Sequence, residues 1–258
     1  MGVCSKEWFF KMISIITPTH CFTPYLYELY ESIKGQSYKD WEWILFLNGN
    51  LTNKNAIQEI KEDKRVKIFR DELTTDKIKI GDIKHKAFSC GKGDILVEAD
   101  HDDLLTVDCL EEINKAFKDK KVGMVYSDTA FIGLNKPFDS EYGWESYKYS
   151  HNGKDLIAMS SFEPSKEMIQ SMWFSPNHVR AWRRSVYEEL GGHDKTMLVA
   201  DDLDLTIRTY LKHKIKRIPK TLYIYRFTGQ NSYIKYGSQI QFEVKNLQNK
   251  YKRELNDL

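Results

Sequence analysis

Apolar, β-branched runs alternate with helix-period segments through the first half of the chain, the arrangement that βαβ units and a mostly parallel sheet require. Met12 to Thr17 is the first strand-like run. Thr23 and Pro24 then offer an N-cap and a first-turn proline for a helix with Leu26, Leu29 and Ile33 on one face, ended by Gly35. Trp41 to Leu47 reads as a second strand, Ala56, Ile57 and Ile60 mark a second helix, and Val66 to Phe69 a short third strand. Ile83, Ala87 and Cys90 trace the next helix face, which Gly91 and Gly93 close before a fourth strand over Ile95 to Ala99. A helix carrying Leu110, Ile113 and Phe117 follows, with Thr106 as its expected cap.

Beyond a strand at Val122 to Tyr126 the pattern weakens, and residues 133–176 show no clean period, as a long functional loop would. Order returns with His178 to Arg184, a short helix over Ser185 to Leu190 stopped by Gly191-Gly192, and a helix from Asp201 through Leu211. Strands at Ile215 to Ile218 and Leu222 to Phe227 come next, and Ile240, Val244, Leu247 and Tyr251 give the tail one apolar helical face.

Composition narrows the class. The 258 residues are 41% hydrophobic and 29% charged with only 14 Gly and 6 Pro, the balance of a folded globule. A net charge of +2 lacks the basic excess of a nucleic-acid binder, so no nucleic-acid partner is expected. Apolar stretches such as Met12 to Pro18 stay far short of the roughly 18 residues of a membrane span. Cys4, Cys21, Cys90 and Cys109 form no C-x-x-C pair, which points to reduced thiols in a cytoplasmic setting and away from a zinc module. The opening MGVCSK carries Lys6 where a myristoylation signal needs Ser or Thr, and no signal-peptide core follows.

Chemistry gathers at two acidic clusters. Asp100-His101-Asp102-Asp103 sits at the carboxyl end of the fourth strand, the edge at which open parallel sheets bind ligands. Two carboxylates spaced D-x-D suit a hard divalent cation that completes its shell with phosphate oxygens; alone, the same spacing also describes a solvated acidic turn. The second cluster, Asp201-Asp202-Leu203-Asp204, opens a helix, where acids also serve the helix dipole.

ISIITPTH (Ile13 to His20), QSYKDWEWILFLNGN (Gln36 to Asn50), KHKAFSCGKGDILVEADHDD (Lys84 to Asp103) and GGHDKTMLVADDLDL (Gly191 to Leu205) occur in an order that resembles the family 2 glycosyltransferases, over roughly residues 12–228. The resemblance implies an α/β fold of GT-A type, a Rossmann-like nucleotide-binding architecture with a mostly parallel central sheet flanked by helices. It implies a nucleotide-binding half over about 12–127 and an acceptor and catalytic half over about 128–236, with 237–258 as an amphipathic C-terminal helix. The implied reaction is an inverting, single-displacement transfer from a nucleotide-diphosphate sugar to a hydroxyl of a glycan or other glycoconjugate, assisted by Mn²⁺ or Mg²⁺. By resemblance Asp100 and Asp102 contact ribose, diphosphate and metal, with Asp102 the more direct ligand; Asp202 is the general base and Asp201 its near-equal alternative. Pro18, Thr19 and His20 form the loop beside the nucleobase.

The chain departs from the family pattern at several points. Asn48 stands where relatives carry an acid that reads the base, and its amide can still bond a pyrimidine edge, so a UDP-sugar is the expected donor. Lys84 falls where the family has an arginine reaching the nucleotide; the alternative is a surface lysine among Lys77, Lys79, Lys86 and Lys92. Arg226-Phe227-Thr228 lies where members carry Arg-x-His, which leaves His178 as a replacement metal ligand or an ordinary packing residue. Tyr142, Trp144, Tyr147, Tyr149, Trp173 and Phe174 either stack on acceptor sugars or form a satellite core. Lys235, Lys245, Lys250, Lys252 and Arg253 fit a C-terminal helix resting on an anionic membrane, or one that packs on its own domain. Two other classes remain open: a catalytically idle GT-A-like domain that binds nucleotide or glycan, and a haloacid-dehalogenase-like phosphohydrolase, which Leu104 and the late position of the acids disfavour.

Overall fold

The computed structural model describes residues 12–49, 51, 57–71, 79–137, 143–171, 176–229 and 231–258. Cys4 and the opening MGVCSK, Asn50, Ala56, Lys77, Tyr142, Trp173 and Phe174 lie outside the described residues. β1 (Ile13–Thr19), β2 (Trp41–Asn48), β3 (Val66–Asp71) and β4 (Ile95–Glu98) pair in parallel in the order β3-β2-β1-β4. β1, β2 and β4 are covered on both faces, which is why they read as nearly unbroken apolar runs. α1 (Pro24–Lys34), α2 (Gln58–Glu62) and α3 (Ile80–Ser89) lie between them in sequence. α1 begins at Pro24 with Thr23 in the N-cap position and buries Leu26, Leu29 and Ile33 as the period predicts.

The second half changes the pairing. β5 (Leu104–Leu105) and α4 (Cys109–Ala116) precede β6 (Val122–Ile132), a longer strand than the apolar run alone marks. Asp108, not Thr106, occupies the N-cap position of α4; the Thr106 hydroxyl donates instead to the Asp108 carboxylate at 2.9 Å. β7 (Ser146–His151), β8 (Lys154–Met159) and α5 (Lys166–Ser171) fill much of the stretch expected to be loop. The hairpin turns at Asn152-Gly153, both at positive φ, the two-residue turn chemistry whose twist suits paired strands. β9 (Arg180–Arg183) and α6 (Arg184–Glu189) follow, then α7 (Asp201–Lys212) and β10 (Lys214–Arg226).

β9 lies antiparallel between β4 and β6, so the sheet order runs β3-β2-β1-β4-β9-β6-β10-β5. The mostly parallel sheet is thus mixed at this point, while β6 and β10 run parallel over most of their length. The two strands expected at 215–218 and 222–227 are one, with register shifts around Ile218 and Thr221. Pro219 between them has no N–H to give the ladder, so the break that the sequence suggests becomes an irregularity within a continuous strand. β6 spends one edge twice: Met124 to Tyr126 pair with β9, and Thr129 to Phe131 with β8.

One core cluster joins the sheet to α1 and α4, and another, with Phe88, Trp182 and Tyr187, lies under α3 and α6. α8 (Ser232–Lys250), kinked at Tyr236, and α9 (Lys252–Asn256) bury Val244, Leu247, Tyr251 and Leu255 against Leu203 and Ile207 of α7 and Met168 and Ile169 of α5. Among the described residues no helix is long and apolar enough to cross a membrane.

Candidate active site

The carboxyl ends of the parallel strands β1, β2 and β4 lie along one edge of the sheet. Past β1, the Thr19 hydroxyl donates to the Cys21 carbonyl at 2.7 Å, and the His20 ring meets the His101 ring edge-on at 5.5 Å. Pro18, Thr19 and His20 are thereby brought against the loop that holds Asp100 and Asp102. Asn48 ends β2 with only 6% of its surface exposed, and its Oδ1 has no hydrogen-bond partner among the described residues.

The three aspartates after β4 do different work. Asp103 is fully buried, and its carboxylate accepts the Arg226 backbone N–H at 2.7 Å; burial and the charges of Asp100 and Asp102 push its carboxyl well above the usual range. Arg226 Nε also donates to the Asp102 carbonyl at 2.9 Å, and the guanidinium lies 4.3 Å from the Tyr25 ring centre. That clamp shapes the turn through the Asp103 carboxylate and the Asp102 carbonyl, not through the Asp102 carboxylate. Burial, then the charge of Asp100, raise the Asp102 carboxyl above its ordinary value.

Ligand atoms of Glu98, Asp100 and His178 all lie within 4.8 Å of one another. His178 Nε2 is 3.7 Å from Asp100, as its candidacy for a metal requires, and its ring stacks on Tyr223 at 4.9 Å. The same Nε2 accepts an N–H of Arg180 at 2.8 Å, however, so its lone pair is engaged. Glu98 is engaged as well, with Oε1 2.6 Å from Lys84 Nζ and Oε2 2.8 Å from Arg180 Nε. Asp100 and Asp102 repel one another, and His101 and Arg226 offset that only in part, so the Asp102 carboxyl stays raised; a pair of this kind suits a hard divalent cation.

The second acidic cluster opens α7 and is tied to Glu98 of β4 through Lys84 and Arg180. Asp201 points inward, with Oδ2 2.8 Å from His193 Nδ1 and 3.8 Å from Lys84 Nζ. His193 is itself buried among the rings of Phe88, Trp182 and Tyr187. Asp202 faces out, its side chain 30% exposed. Its Oδ1 accepts the Leu203 N–H at 2.8 Å and its Oδ2 accepts Arg180 Nη1 at 2.5 Å. Burial works against its charge, but the Arg180 guanidinium and then Lys84 outweigh it and hold the carboxyl at about 2.

Lys84 is no surface lysine. Burial opposes its charge, yet Asp201 and Glu98 hold the ammonium protonated far beyond the usual range. Glu98, Arg180, His193 and Tyr223 escape a search for acidic motifs. The signal for the first two is a charged residue inside a strand that is otherwise buried, which demands an internal partner. Of the aromatic residues, Trp144 packs on Phe162 at 4.6 Å in a small core with Phe131 and Met159. The Tyr147 hydroxyl is bonded to Thr221, and Tyr149 packs beside Leu104 and Ile224.

A parallel ladder with acids beyond β4 and a second acidic cluster opening a helix across the cleft is found with a matching sequence. The family model described as Glycosyl transferase family 2 matches residues 14–191. The chain belongs to this family. The match makes the protein a glycosyltransferase with a GT-A fold and removes the phosphohydrolase alternative. The uncharacterized glycosyltransferase YwdF of Bacillus subtilis is 23% identical over 218 residues, 84% of this chain and 74% of its own. The uncharacterized glycosyltransferase MJ1057 of Methanocaldococcus jannaschii is 26% identical over 216 residues, 81% of this chain and 68% of its own. S. aureus TarS superposes with a TM-score of 0.65 at 16% identity over 93% of this glycosyltransferase, which spans only 39% of the TarS chain. A mannosyltransferase from Pyrobaculum calidifontis, solved with GDP-Man and Mn²⁺, superposes with a TM-score of 0.57 at 17% identity, covering 84% of this chain and 57% of its own. At these identities the solved structures establish the fold.

Proposed function

We propose that the enzyme transfers a sugar from a nucleotide-diphosphate donor, a UDP-sugar, to a hydroxyl of a glycan or other glycoconjugate, with inversion, in a single displacement. The observation that carries this reading is Asp202, a part-exposed carboxylate at the start of α7 that Arg180 ties to Glu98, two residues before Asp100. Asp202 accepts the proton of the acceptor hydroxyl as that oxygen attacks the anomeric carbon from the side opposite the departing diphosphate. Asp201 is less suited, because its carboxylate is turned into the protein toward His193 and Lys84. Asn48, which ends β2, is the residue this reading assigns to the uracil edge, with Pro18, Thr19 and His20 at the end of the neighbouring β1. A divalent cation, Mn²⁺ or Mg²⁺, held by Asp102 and Asp100 would supply neutralisation of the leaving diphosphate.

Support for a nucleotide-sugar donor comes from structural relatives: TarS residues 1–349 have been solved with UDP and with UDP-GlcNAc, and the Pyrobaculum calidifontis enzyme with GDP-Man. The reading places the enzyme in the cytoplasm, with exposed Ile234 and Phe242 of α8 and nearby Lys235 and Lys245 available to a membrane that carries a lipid-linked acceptor. The test is Asp202→Asn. Its UDP affinity in the presence of Mn²⁺ should match wild type, while release of UDP from a UDP-sugar falls by about 10²–10⁴-fold. Unchanged turnover would remove Asp202 from the base role, and nucleotide binding without turnover in wild type across UDP-sugars would favour the idle-domain reading.

A further inference from the structure

We propose that Glu98 and Arg180 are positioning residues for transfer, a buried clamp that fixes the Asp202 carboxylate relative to the acids that follow β4. The inference rests on the reading of Asp202 as the base.

Glu98 and Arg180 are direct cross-strand partners in the antiparallel β4–β9 ladder, so their side chains leave the sheet side by side. Arg180 grips Glu98 with two prongs, Nε to Oε2 at 2.8 Å and Nη2 to Oε1 at 3.2 Å. Both groups are buried. A guanidinium is planar, so fixing two of its nitrogens fixes the direction of the third. That third nitrogen, Nη1, holds Asp202 Oδ2. Two residues beyond Glu98 the same strand delivers Asp100, and then Asp102. One rigid path therefore runs from the metal-side acids through β4 and Arg180 to the base on α7.

The charges alternate along this path: Asp201, Lys84, Glu98, Arg180, Asp202. An apolar pair at Glu98 and Arg180 would hold two strands together at least as well, since buried ion pairs carry a large desolvation cost. Such a pair would offer no nitrogen to hold the Asp202 carboxylate. Asp202 is faced by Arg180 from β9, Lys84 from α3, Glu98 from β4 and His178 from the segment before β9, with Asp201 beside it on α7. The cations prevail in that set, in keeping with a base kept ionised. Glu98 also belongs to the Glu98, Asp100 and His178 group, but both its oxygens are occupied by cations, which marks it as a counter-ion rather than a metal ligand.

The test uses the full chain carrying Glu98→Gln, Arg180→Lys, both together, Arg180→Met and Asp202→Asn. The readouts are UDP release from UDP-sugars at varied Mn²⁺, melting temperature, and carboxyl ¹³C titration of Asp202. Glu98→Gln removes a negative neighbour of Asp202, so electrostatics alone would keep the base ionised. The clamp nevertheless predicts at least a tenfold loss of kcat, with the donor KM and the half-saturating Mn²⁺ each within about threefold of wild type. Arg180→Lys should lose a similar amount, and the double variant no more than the worse single, because the two residues act as a unit. In Arg180→Met the Asp202 midpoint should rise by at least about one pH unit. Wild-type kcat in folded Glu98→Gln and Arg180→Lys overturns the clamp, as does an ordinary Asp202 midpoint in the wild-type protein. A tenfold rise in half-saturating Mn²⁺ for Glu98→Gln, with kcat restored at saturation, overturns it in favour of a metal ligand. Retained turnover in Asp202→Asn fails the base reading instead, whatever the clamp variants do.

Discussion

Asp102 and Asp202 are aspartates on one cleft in opposite electrical surroundings. Asp102 is raised by burial and by Asp100, whereas Asp202 is lowered by Arg180 and Lys84 despite its burial. The first pattern is a liability to folding that a bound cation relieves, so Asp102→Asn should melt a few degrees higher than wild type in EDTA and lose the added stabilisation by UDP with Mn²⁺. A lower melting temperature for that variant in EDTA would contradict the repulsion. The second pattern has the reverse sign. With a folded value of about 2 against about 3.9 for a free carboxyl, Asp202 stabilises the fold fully above about pH 4 and progressively less as the pH falls through 2. Acid unfolding of Asp202→Asn should therefore show a shallower pH dependence between about pH 4 and 2, read by circular dichroism. Both acidic clusters were legible in the sequence because acids at a strand end and at a helix start are local features. Glu98 and Arg180 were not, because their meaning lies in a cross-strand pairing that only the inserted β9 creates.

Among the elements, α7 carries the most, since its first turn holds Asp201 and Asp202 while its outer face is covered by the C-terminal helix. Leu203 and Ile207 meet Val244, Leu247 and Leu255, and the Tyr251 hydroxyl donates to Asp204 at 2.7 Å. Leu247→Ala should cost about 2–4 kcal/mol and lower the melting temperature by roughly 5–10 °C, and a loss under 1 kcal/mol would show that α8 is dispensable to this packing. The opposite side of the same region is held by close approach: a Cβ on Gly81 at the start of α3 would fall 2.0 Å from the Asp194 carbonyl oxygen, and Gly81 N–H already donates to the Met197 carbonyl at 3.1 Å. Element by element, the parallel half was readable because its strands are apolar throughout and its helices have a clean period. The hairpin was hidden because β7 alternates exposed and half-buried polar residues, SYKYSH, in place of an apolar face. The Asn152-Gly153 dipeptide was the signal that marks it. β9 was too short and too charged to announce that it would run against its neighbours.

At the scale of the whole molecule, the two acidic clusters come from distant parts of the chain and are linked through Arg180 of the inserted β9, which bonds both Glu98 of β4 and Asp202 of α7. Ligands that bridge the cleft should stabilise the entire fold. UDP with Mn²⁺ at about 100 times its dissociation constant should add roughly 2.7 kcal/mol, a rise of about 5–10 °C in melting temperature that EDTA removes. No rise with any nucleoside diphosphate would count against the donor proposal. The branch in β6 has a further consequence. Among the described residues the β7–β8 hairpin pairs with the sheet at Thr129, Ala130 and Phe131, beyond the residues of β6 that pair with β9, and it shares no ladder with β1, β2 or β4. It is attached like a side panel to a frame that closes without it. Changing the length or sequence of the turn and outer strand between residues 146 and 156 should leave the registers of β1 to β4 in place, so this panel can be re-engineered with little effect on the strands that carry the acids.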